Sequence, residues 1–240
     1  MEFHYFEDYP AMSEAAALVF TKATASRDTP VACLATGGSP LGMYRHLAAS
    51  GADYSGLTII KLDEWLGLPM DHPATCEYYL HREVLEPLGI PPERYVRFHS
   101  SPQDPDAEAA RLNSELARIP PPDICVLGLG RNGHIGLNEP APLLKPFCHR
   151  ARLEESSRGH AMLRKERADA TEGLTLGMAD ILKAARILLL VSGEEKKQAF
   201  ERLCQPGVSN QLPASMLWLH PRVEVLVDCH STGIPRPSMD

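Results

Sequence analysis

The sequence predicts an α/β protein with a mostly parallel sheet and helices on both faces. Strand-like and helix-like segments alternate along the chain, which is typical of βαβ units. The strand-like segments are continuously apolar, as expected of strands that are buried on both faces. Several of them end in glycine-rich turns that lead into helices, such as Thr36-Gly37-Gly38-Ser39 after residues 31–35.

Apolar periodicity predicts the helices and strands along the chain, and glycine and proline indicate where they end. Residues 11–25 are rich in alanine and anchored by Leu18, Val19 and Phe20, whereas the helix over 106–119 stops at three consecutive prolines. The predicted helices are 11–25, 41–49, 76–85, 106–119, 175–185, 194–203 and 212–219. The predicted strands are 31–35, 57–62, 95–98, 124–129, 186–191 and 223–228.

The chain has 240 residues, of which 44% are hydrophobic and 23% are charged, as in an ordinary globular protein. Without an internal repeat or a convincing linker, one domain over residues 1–240 is expected. Its last segment, 231–240, has two prolines and no apolar pattern, which predicts a loose tail. The net charge of −7, without a compensating basic cluster, disfavours a nucleic-acid partner.

The cysteines and the apolar runs predict a cytoplasmic protein without a membrane partner. None of the six cysteines forms a CxxC pair, and Cys33 and Cys125 lie inside apolar runs, which fits reduced core residues. The N-terminal residues show no signal-peptide pattern. The longest aliphatic run, residues 187–191, is too short to span a bilayer.

The loop after the predicted strand 124–129 combines glycines with His134, Asn138 and Glu139. Polar residues there lie where open α/β sheets bind ligands, so His134 is a candidate acid/base held in one tautomer by Glu139. A structural histidine is the alternative.

The same loop contains a GxGxxG pattern, the dinucleotide-binding fingerprint, from Gly128 to Gly133. Pro140 and Pro142 leave little room for the helix that this fingerprint needs, and no acid follows a strand at the required distance. A nicotinamide enzyme is therefore a weak alternative.

Two further strand ends carry candidate residues. The turn from Thr36 to Ser39 offers backbone amides, a hydroxyl and a helix N-terminus to an anion, although an ordinary tight turn is the alternative. Asp63 and Glu64 follow a strand, and since adjacent residues point opposite ways, at most one of them should face a site. A helix cap is the alternative for these acids. From spacing alone, Lys196 is a solvated lysine.

Other sites find little support in the sequence. The histidines at 72, 134, 149 and 160 show no metal-ligand pair at helical or finger spacing. There is no GxxxxGK[ST] loop and no GxSxG elbow, which argues against a P-loop ATPase and an α/β-hydrolase. No metal and no cofactor are predicted.

Taken together, five blocks resemble the glucosamine-6-phosphate deaminase/isomerase family, in the same order and over nearly the whole chain. They are LATGGSPLGMYRHL (34–47), KLDEWLGLP (61–69), LGLGRNGHIGLNEP (127–140), LTLGMADILKAARILLLVSGEEKKQAF (174–200) and LPASMLWLHP (212–221). The resemblance implies a modified Rossmann-like fold. It also implies conversion of an amino-sugar 6-phosphate and water to a ketose 6-phosphate and ammonia, without a metal or organic cofactor.

The resemblance assigns roles by position. Asp63 matches the carboxylate that moves a proton between C2 and C1, His134 the imidazole that assists ring opening, and Glu139 the acid that supports it. The phosphate ligands would be Gly37, Gly38, Ser39 and Lys196, so the resemblance reverses the expectation for Lys196.

Two departures from the family pattern matter. Asn132 stands where the glucosamine enzymes usually carry aspartate, so His134 would depend on Glu139 for support. The family's phosphate-binding arginine has no certain match, and the candidates are Arg158, His160 and Arg164.

Further motifs resemble the galactosamine-6-phosphate deaminase/isomerase branch, whose product is tagatose 6-phosphate. They are TCEYYL (75–80), RNGHIGLNEP (131–140), FCHRARL (147–153), GHAML (159–163) and PASMLWLH (213–220). The expected partner is a small amino-sugar phosphate, and the sequence leaves open whether the chain forms a homo-oligomer. Alternatives are a glucosamine-6-phosphate deaminase, a 6-phosphogluconolactonase and a non-catalytic sugar-phosphate sensor.

Overall fold

A seven-stranded parallel sheet forms the centre of the protein, in the order β1-β10-β9-β6-β2-β3-β5. The computed structural model describes residues 1–25 and 27–237, and only the backbone of residue 156. The strands of this sheet are β1 (Glu2–Phe6), β2 (Val31–Leu34), β3 (Thr58–Lys61), β5 (Tyr95–Val96), β6 (Ile124–Gly128), β9 (Ile187–Val191) and β10 (Val223–Asp228).

Helices connect these strands and cover the sheet. The α-helices are α1 (Tyr9–Thr24), α2 (Gly38–Ala49), α3 (Cys76–Leu80), α4 (Pro105–Leu116), α5 (Glu155–Arg158), α6 (Ala161–Lys165), α7 (Met178–Ile181), α8 (Lys197–Leu203) and α9 (Cys229–Thr232). A π-helical turn, His81–Leu85, continues α3, and 3₁₀ helices span Pro92–Arg94, Glu194–Lys196 and Pro213–Leu219.

The continuously apolar strands are buried on both faces, as predicted. All five residues of β9 are buried, and they alternate between two core clusters: Leu189 packs into one and Leu188 into the other. Helix α1 lies in the second cluster through Met12 and Phe20, whereas α8 lies in the first. The predicted α/β fold with a mostly parallel, two-sided sheet is therefore confirmed.

A second, three-stranded antiparallel sheet was not predicted. It consists of β4 (Asp63–Trp65), β8 (Glu172–Thr175) and β7 (His149–Arg152), in that order. Its strands are short and rich in charged residues, so they lack the apolar run that marks the central strands. Residues 63–65 were expected in a loop, yet Asp63 pairs with Thr175 and is thereby fixed to a sheet.

Other differences lie at element ends. The helix expected over 175–185 is shorter, since Thr175 ends β8 and only Met178–Ile181 is α-helical. Strand β1 escaped prediction because it is an edge strand whose residues are partly or fully exposed. In the expected loose tail, Ser231 and Thr232 belong to α9 and Thr232 is buried. Residues 238–240 of that tail lie outside the described residues.

Among the described residues, every helix is too short or too polar to cross a membrane.

Candidate active site

The loops that carry the candidate residues follow four parallel strands at one edge of the central sheet. Strands β3, β2, β6 and β9 are successive neighbours, and all run in the same direction. The segments after them hold Asp63, the Gly37–Gly38 turn, His134 and Lys196. The chain therefore brings these segments to the edge where open α/β sheets bind ligands.

Asp63 is the first residue of β4, and its side chain is only partly buried. The Cys76 thiol contacts Asp63 Oδ1 at 3.7 Å. Burial, followed by the neighbouring Glu64 carboxylate, raises the pKa of Asp63 to about 6, against the opposing influences of His134, Cys76 and Lys61. A carboxylate with a pKa close to neutral is suited to take up and return a proton.

Glu64 points the opposite way, into the protein. Its side chain and that of Lys61 are fully buried, and Lys61 Nζ donates to Glu64 Oε2 and to Glu77 Oε2, both at 2.7 Å. Glu64 also accepts the backbone amides of Cys76 and Glu77 at the start of α3. The two adjacent acids therefore have different surroundings, as expected of neighbouring residues on a strand, and Glu64 binds the first two amides of α3 beside its N-cap, Thr75.

Two glycines let the His134 loop fold tightly. A Cβ at position 130 would lie 2.3–2.4 Å from the His134 ring, and Gly133 has a φ of +89°. Only glycine allows the ring to pack so closely on the backbone at 130. The His134 amide donates to Asn132 Oδ1 at 3.1 Å, and Gly130 donates to the carbonyl of His134 at 2.9 Å, which closes the loop.

His134 and Glu139 form a pair, as expected from the sequence. Their Nδ1 and Oε2 atoms are 3.3 Å apart, and Asn132 donates to the same Oε2 at 2.8 Å. Burial opposes ionisation of Glu139, but the hydrogen bond and charge of His134, with Ser157 and Asn132, hold its pKa below the ordinary value. Since an ionised Glu139 accepts the proton on Nδ1, Nε2 of a neutral His134 is left with the lone pair.

Ser157 is a member of this cluster that sequence reasoning missed. It lies on α5, is 4% exposed, and places its Oγ 3.2 Å from His134 Nδ1. Position 157 is 23 residues from His134 in a segment without clear periodicity, so no local sequence signal marks it. The folding of the chain back from the second sheet brings it to the site.

The turn after β2 leads into a helix N-terminus without a side-chain cap. Gly37 has a φ of +101° and precedes α2, whose N-terminus has no side-chain cap. Tyrosine hydroxyls bind the carbonyls of the two glycines: Tyr79 donates to Gly37 O at 2.7 Å and Tyr9 to Gly38 O at 2.6 Å. Ser39 is partly exposed in the first turn of α2. The uncapped amides and this hydroxyl can therefore meet a phosphate.

His160 lies against this turn. Its Nε2 is 3.6 Å from the position that a Cβ would take at Gly37. Burial, followed by the nearby positive Lys196, lowers the pKa of His160 to about 4, so the ring is neutral near pH 7. Because Nδ1 accepts the Met162 amide at 3.3 Å, the proton is on Nε2, which is a donor on the side of the turn.

Lys196 ends the 3₁₀ helix after β9, and its side chain is only 17% exposed. Burial lowers its pKa, against the raising influence of Glu195, whose Oε1 is 3.7 Å from Nζ. Lys196 is close enough to His160 to affect the pKa of that ring. A largely buried cation beside a neutral histidine fits an anionic ligand better than the solvated lysine that spacing alone indicates.

The structure does not bring Arg158 to this group. Its side chain is exposed and donates from Nε to Leu153 O at 3.3 Å. Arg164 is also exposed, although its charge affects the pKa of His160. Within residues 1–25 and 27–237, no group of three or more His, Cys, Asp or Glu side chains is arranged to hold a metal ion.

The sequence matches the protein family described as glucosamine-6-phosphate isomerases/6-phosphogluconolactonase over residues 9–227. The chain belongs to this family. Among its relatives in the family is the Escherichia coli (strain K12) protein named "Putative deaminase AgaI", 41% identical over 92% of this chain and 90% of the relative. Glucosamine-6-phosphate deaminase 1 of Bacillus subtilis (strain 168) is 33% identical over 95% of this chain and 97% of its own.

A solved structure of a monomeric glucosamine-6-phosphate deaminase of the NagB superfamily has a TM-score of 0.92 to this chain. It is 32% identical and covers 98% of this chain and 100% of its own. A 6-phosphogluconolactonase from Trypanosoma brucei, 18% identical, has a TM-score of 0.77 over 97% of both chains, which shows a shared fold. The resemblance to the deaminase family that the sequence motifs indicated is thus confirmed.

Proposed function

We propose that the protein is a galactosamine-6-phosphate deaminase/isomerase. It converts D-galactosamine 6-phosphate and water to D-tagatose 6-phosphate and ammonia, in the cytoplasm. The observation that carries the proposal is the Asp63 carboxylate, with a pKa of about 6, facing a site that also holds the His134–Glu139 pair. Such a pair of groups supplies the base and the acid that an aldose–ketose isomerisation requires.

The phosphate of the substrate is held by the Gly37–Gly38 amides, the Ser39 hydroxyl and Lys196, with His160 Nε2 as a neutral donor. This set provides a positive helix end and one cation. Arg158 is not part of this proposed set of phosphate ligands. Its exposed side chain is consistent with a phosphate site that uses His160 in place of the family arginine.

The reaction begins with ring opening and continues at C2. His134 Nε2 exchanges a proton with the ring oxygen and the C1 hydroxyl, which opens the pyranose to the aldehyde. Asp63 removes the C2 proton, giving an enolamine, and returns that proton to C1. The resulting ketimine at C2 adds water and expels ammonia, which leaves the ketose. Each acid–base step of this kind contributes about 10²–10⁴-fold to the rate.

The galactosamine preference is supported by the branch motifs and by Asn132. The chain also has a higher identity to AgaI, 41%, than to the Bacillus subtilis glucosamine-6-phosphate deaminase, 33%. Asn132 donates to Glu139 and accepts from the His134 amide, so an uncharged amide fills the place of the aspartate usual in the glucosamine enzymes.

The deciding experiment measures ammonia and ketose release from galactosamine 6-phosphate and from glucosamine 6-phosphate. We expect a higher kcat/KM for the galacto epimer. A higher kcat/KM for the gluco epimer would make the protein a glucosamine-6-phosphate deaminase. The absence of ammonia, with hydrolysis of 6-phosphogluconolactone, would make it a lactonase, which needs no exchange of the C2 proton. Binding of these sugars without turnover would indicate a sensor.

Asp63→Asn tests the assignment of the base. We expect this variant to lose nearly all turnover and C2-deuterium exchange while it still binds the substrate, since its amide cannot take up a proton. Near-normal turnover of the variant would show that another group is the base. Glu64→Gln is an unsuitable control because Glu64 is part of the buried ion pair, so Asp71→Asn, on the exposed loop beyond β4, serves instead.

A further inference from the structure

A short chain of hydrogen bonds links the glycine turn to the Asp63 carboxylate. Thr36, the residue before Gly37, has its Oγ1 3.4 Å from the Sγ of Cys76. That sulfur in turn lies 3.7 Å from Asp63 Oδ1. Both distances are within the range of hydrogen bonds that involve sulfur. The three side chains belong to three different segments, so only the folded chain brings them together.

The position of Cys76 is fixed by groups other than its thiol. It is the first residue of α3 and is 1% exposed. Its backbone amide donates to Glu64 Oε1 at 2.9 Å, and Glu64 is itself held by the buried Lys61. The backbone at position 76 is therefore anchored to the neighbour of Asp63. This anchoring places the side chain of residue 76 beside the Asp63 carboxylate.

The thiol acts as a donor in this arrangement. Burial, with the nearby carboxylates of Glu64 and Asp63, raises the pKa of Cys76 well above its ordinary value, so the group keeps its proton. A protonated thiol beside an ionised carboxylate donates to it, and the Thr36 hydroxyl then donates to the sulfur. The other charged groups that affect Asp63 are Glu64, Lys61 and His134.

The second carboxylate oxygen lies beside the loop of His134. Asp63 Oδ2 lies on the side of Gly136, where a Cβ would be 3.6 Å away. Gly136 belongs to the loop of His134 and has a φ of +56°, which favours glycine. A Cβ at 136 would also lie 2.7 Å from Thr175 Oγ1, so glycine is what lets the His134 loop lie against Oδ2.

We infer that Cys76 and Thr36 are positioning residues for the base: the thiol holds Asp63 Oδ1 so that Oδ2 faces the C2 proton, and Thr36 orients the thiol. This inference rests on the proposed function for the role of Asp63. These hydrogen bonds connect Thr36, which precedes the turn proposed to bind phosphate, to Asp63, the proposed base. The thiol is a weak donor, which holds the carboxylate without stabilising its charge as strongly as a hydroxyl would.

The test follows the Asp63 carboxyl directly, by ¹³C NMR titration of aspartate-labelled protein, with the signal assigned by its loss in Asp63→Asn. In Cys76→Ala, we expect the titration midpoint to move upward by roughly half to one pH unit, since a donor to the ionised form is lost. In Cys76→Ser, the stronger hydroxyl donor should leave the midpoint unchanged or lower it. Cys148→Ala, which removes another buried thiol, should have no effect.

The pH profile of kcat/KM provides the second readout. In Cys76→Ala, the acid limb of this profile should move to higher pH together with the NMR midpoint. In Cys76→Ser, it should lie at the wild-type position or below it. Thr36→Val should give a smaller shift of the same sign, and it replaces Cys76→Ala if that variant fails to fold. A Cys76→Ala or Thr36→Val titration that superimposes on the wild-type curve would overturn the inference, as would an upward shift in Cys76→Ser.

The two readouts separate this inference from the proposed function. If the wild-type protein releases no ammonia from either amino-sugar phosphate, the proposed function fails. The NMR midpoints still decide whether Cys76 and Thr36 control the Asp63 carboxyl.

Discussion

Replacement of Lys61 by methionine should destabilise the protein and alter the active site at once. Lys61 and Glu64 are fully buried, Glu77 is 6% exposed, and both Nζ–Oε2 distances are 2.7 Å. The methionine side chain fills a similar volume but leaves the buried Glu64 without its cation, while Glu77 keeps Arg97 at 2.8 Å. Breaking a buried pair in this way costs about 3–5 kcal/mol. For a domain of this size, that corresponds to a fall in Tm of roughly 10 °C.

The measurement is urea unfolding of the wild-type protein and Lys61→Met, with Lys183→Met as the matched control. Lys183 also pairs with a carboxylate, Asp180, at 3.2 Å, but its side chain is 54% exposed. Pairs of that kind contribute about 1 kcal/mol or less. If Lys61→Met loses no more stability than Lys183→Met, the reasoning from burial is refuted.

The pH dependence of this difference follows from the pKa shifts of the pair. Burial opposes ionisation of Glu77, yet the charge of Lys61 and its hydrogen bond lower its pKa below 4.5. Burial also opposes the charge on Lys61, but Glu64 and Glu77 raise its pKa above 10.5. The stabilisation is therefore fully present from pH 4.5 to 10.5, and it is lost below this range as Glu77 protonates and above it as Lys61 deprotonates.

Lys61→Met should also change the site, because the positive charge of Lys61 is one of the influences that lower the pKa of Asp63. We expect the acid limb of kcat/KM to move to higher pH in this variant. Lys183→Met should leave the limb in place. A limb that stays at the wild-type position in Lys61→Met would show that the buried pair does not act on Asp63.

Three further predictions concern the site itself. In the wild-type protein, kcat/KM should rise with pH through about 6 as Asp63 loses its proton, and a profile that is flat in this range would contradict the role of Asp63. Gly130→Ala should lower kcat by about 10²-fold or more, because the new Cβ would lie 2.3–2.4 Å from the His134 ring. Gly128→Ala is the control and should stay active, because a Cβ at position 128 would meet no neighbouring atom within 4 Å. Ser157→Ala should lower kcat by about two- to tenfold with little change in KM, and an unchanged kcat would show that Ser157 does not support His134.

The sequence alone determined the class of fold and most of the catalytic candidates. Continuous apolar runs such as β9 can only be buried on both faces, so they indicate a parallel sheet. Glycine-rich turns after such runs indicate the edge of the sheet where ligands bind. Asp63, His134 and Glu139 are candidates because they follow strands that end at this edge. Family motifs then indicated the roles proposed for them and a phosphate-binding role for Lys196, which spacing alone could not distinguish from a surface lysine.

Tertiary structure decided which groups meet. Contacts such as those of Cys76 with Asp63 and of Ser157 with His134 join residues 13 and 23 positions apart on different segments. Arg158 and His160 are two residues apart, yet only His160 lies against the Gly37 turn. Periodicity reports the face that a residue occupies within its own element. The packing of one element against another, which sets these distances and pKa values, depends on the whole chain.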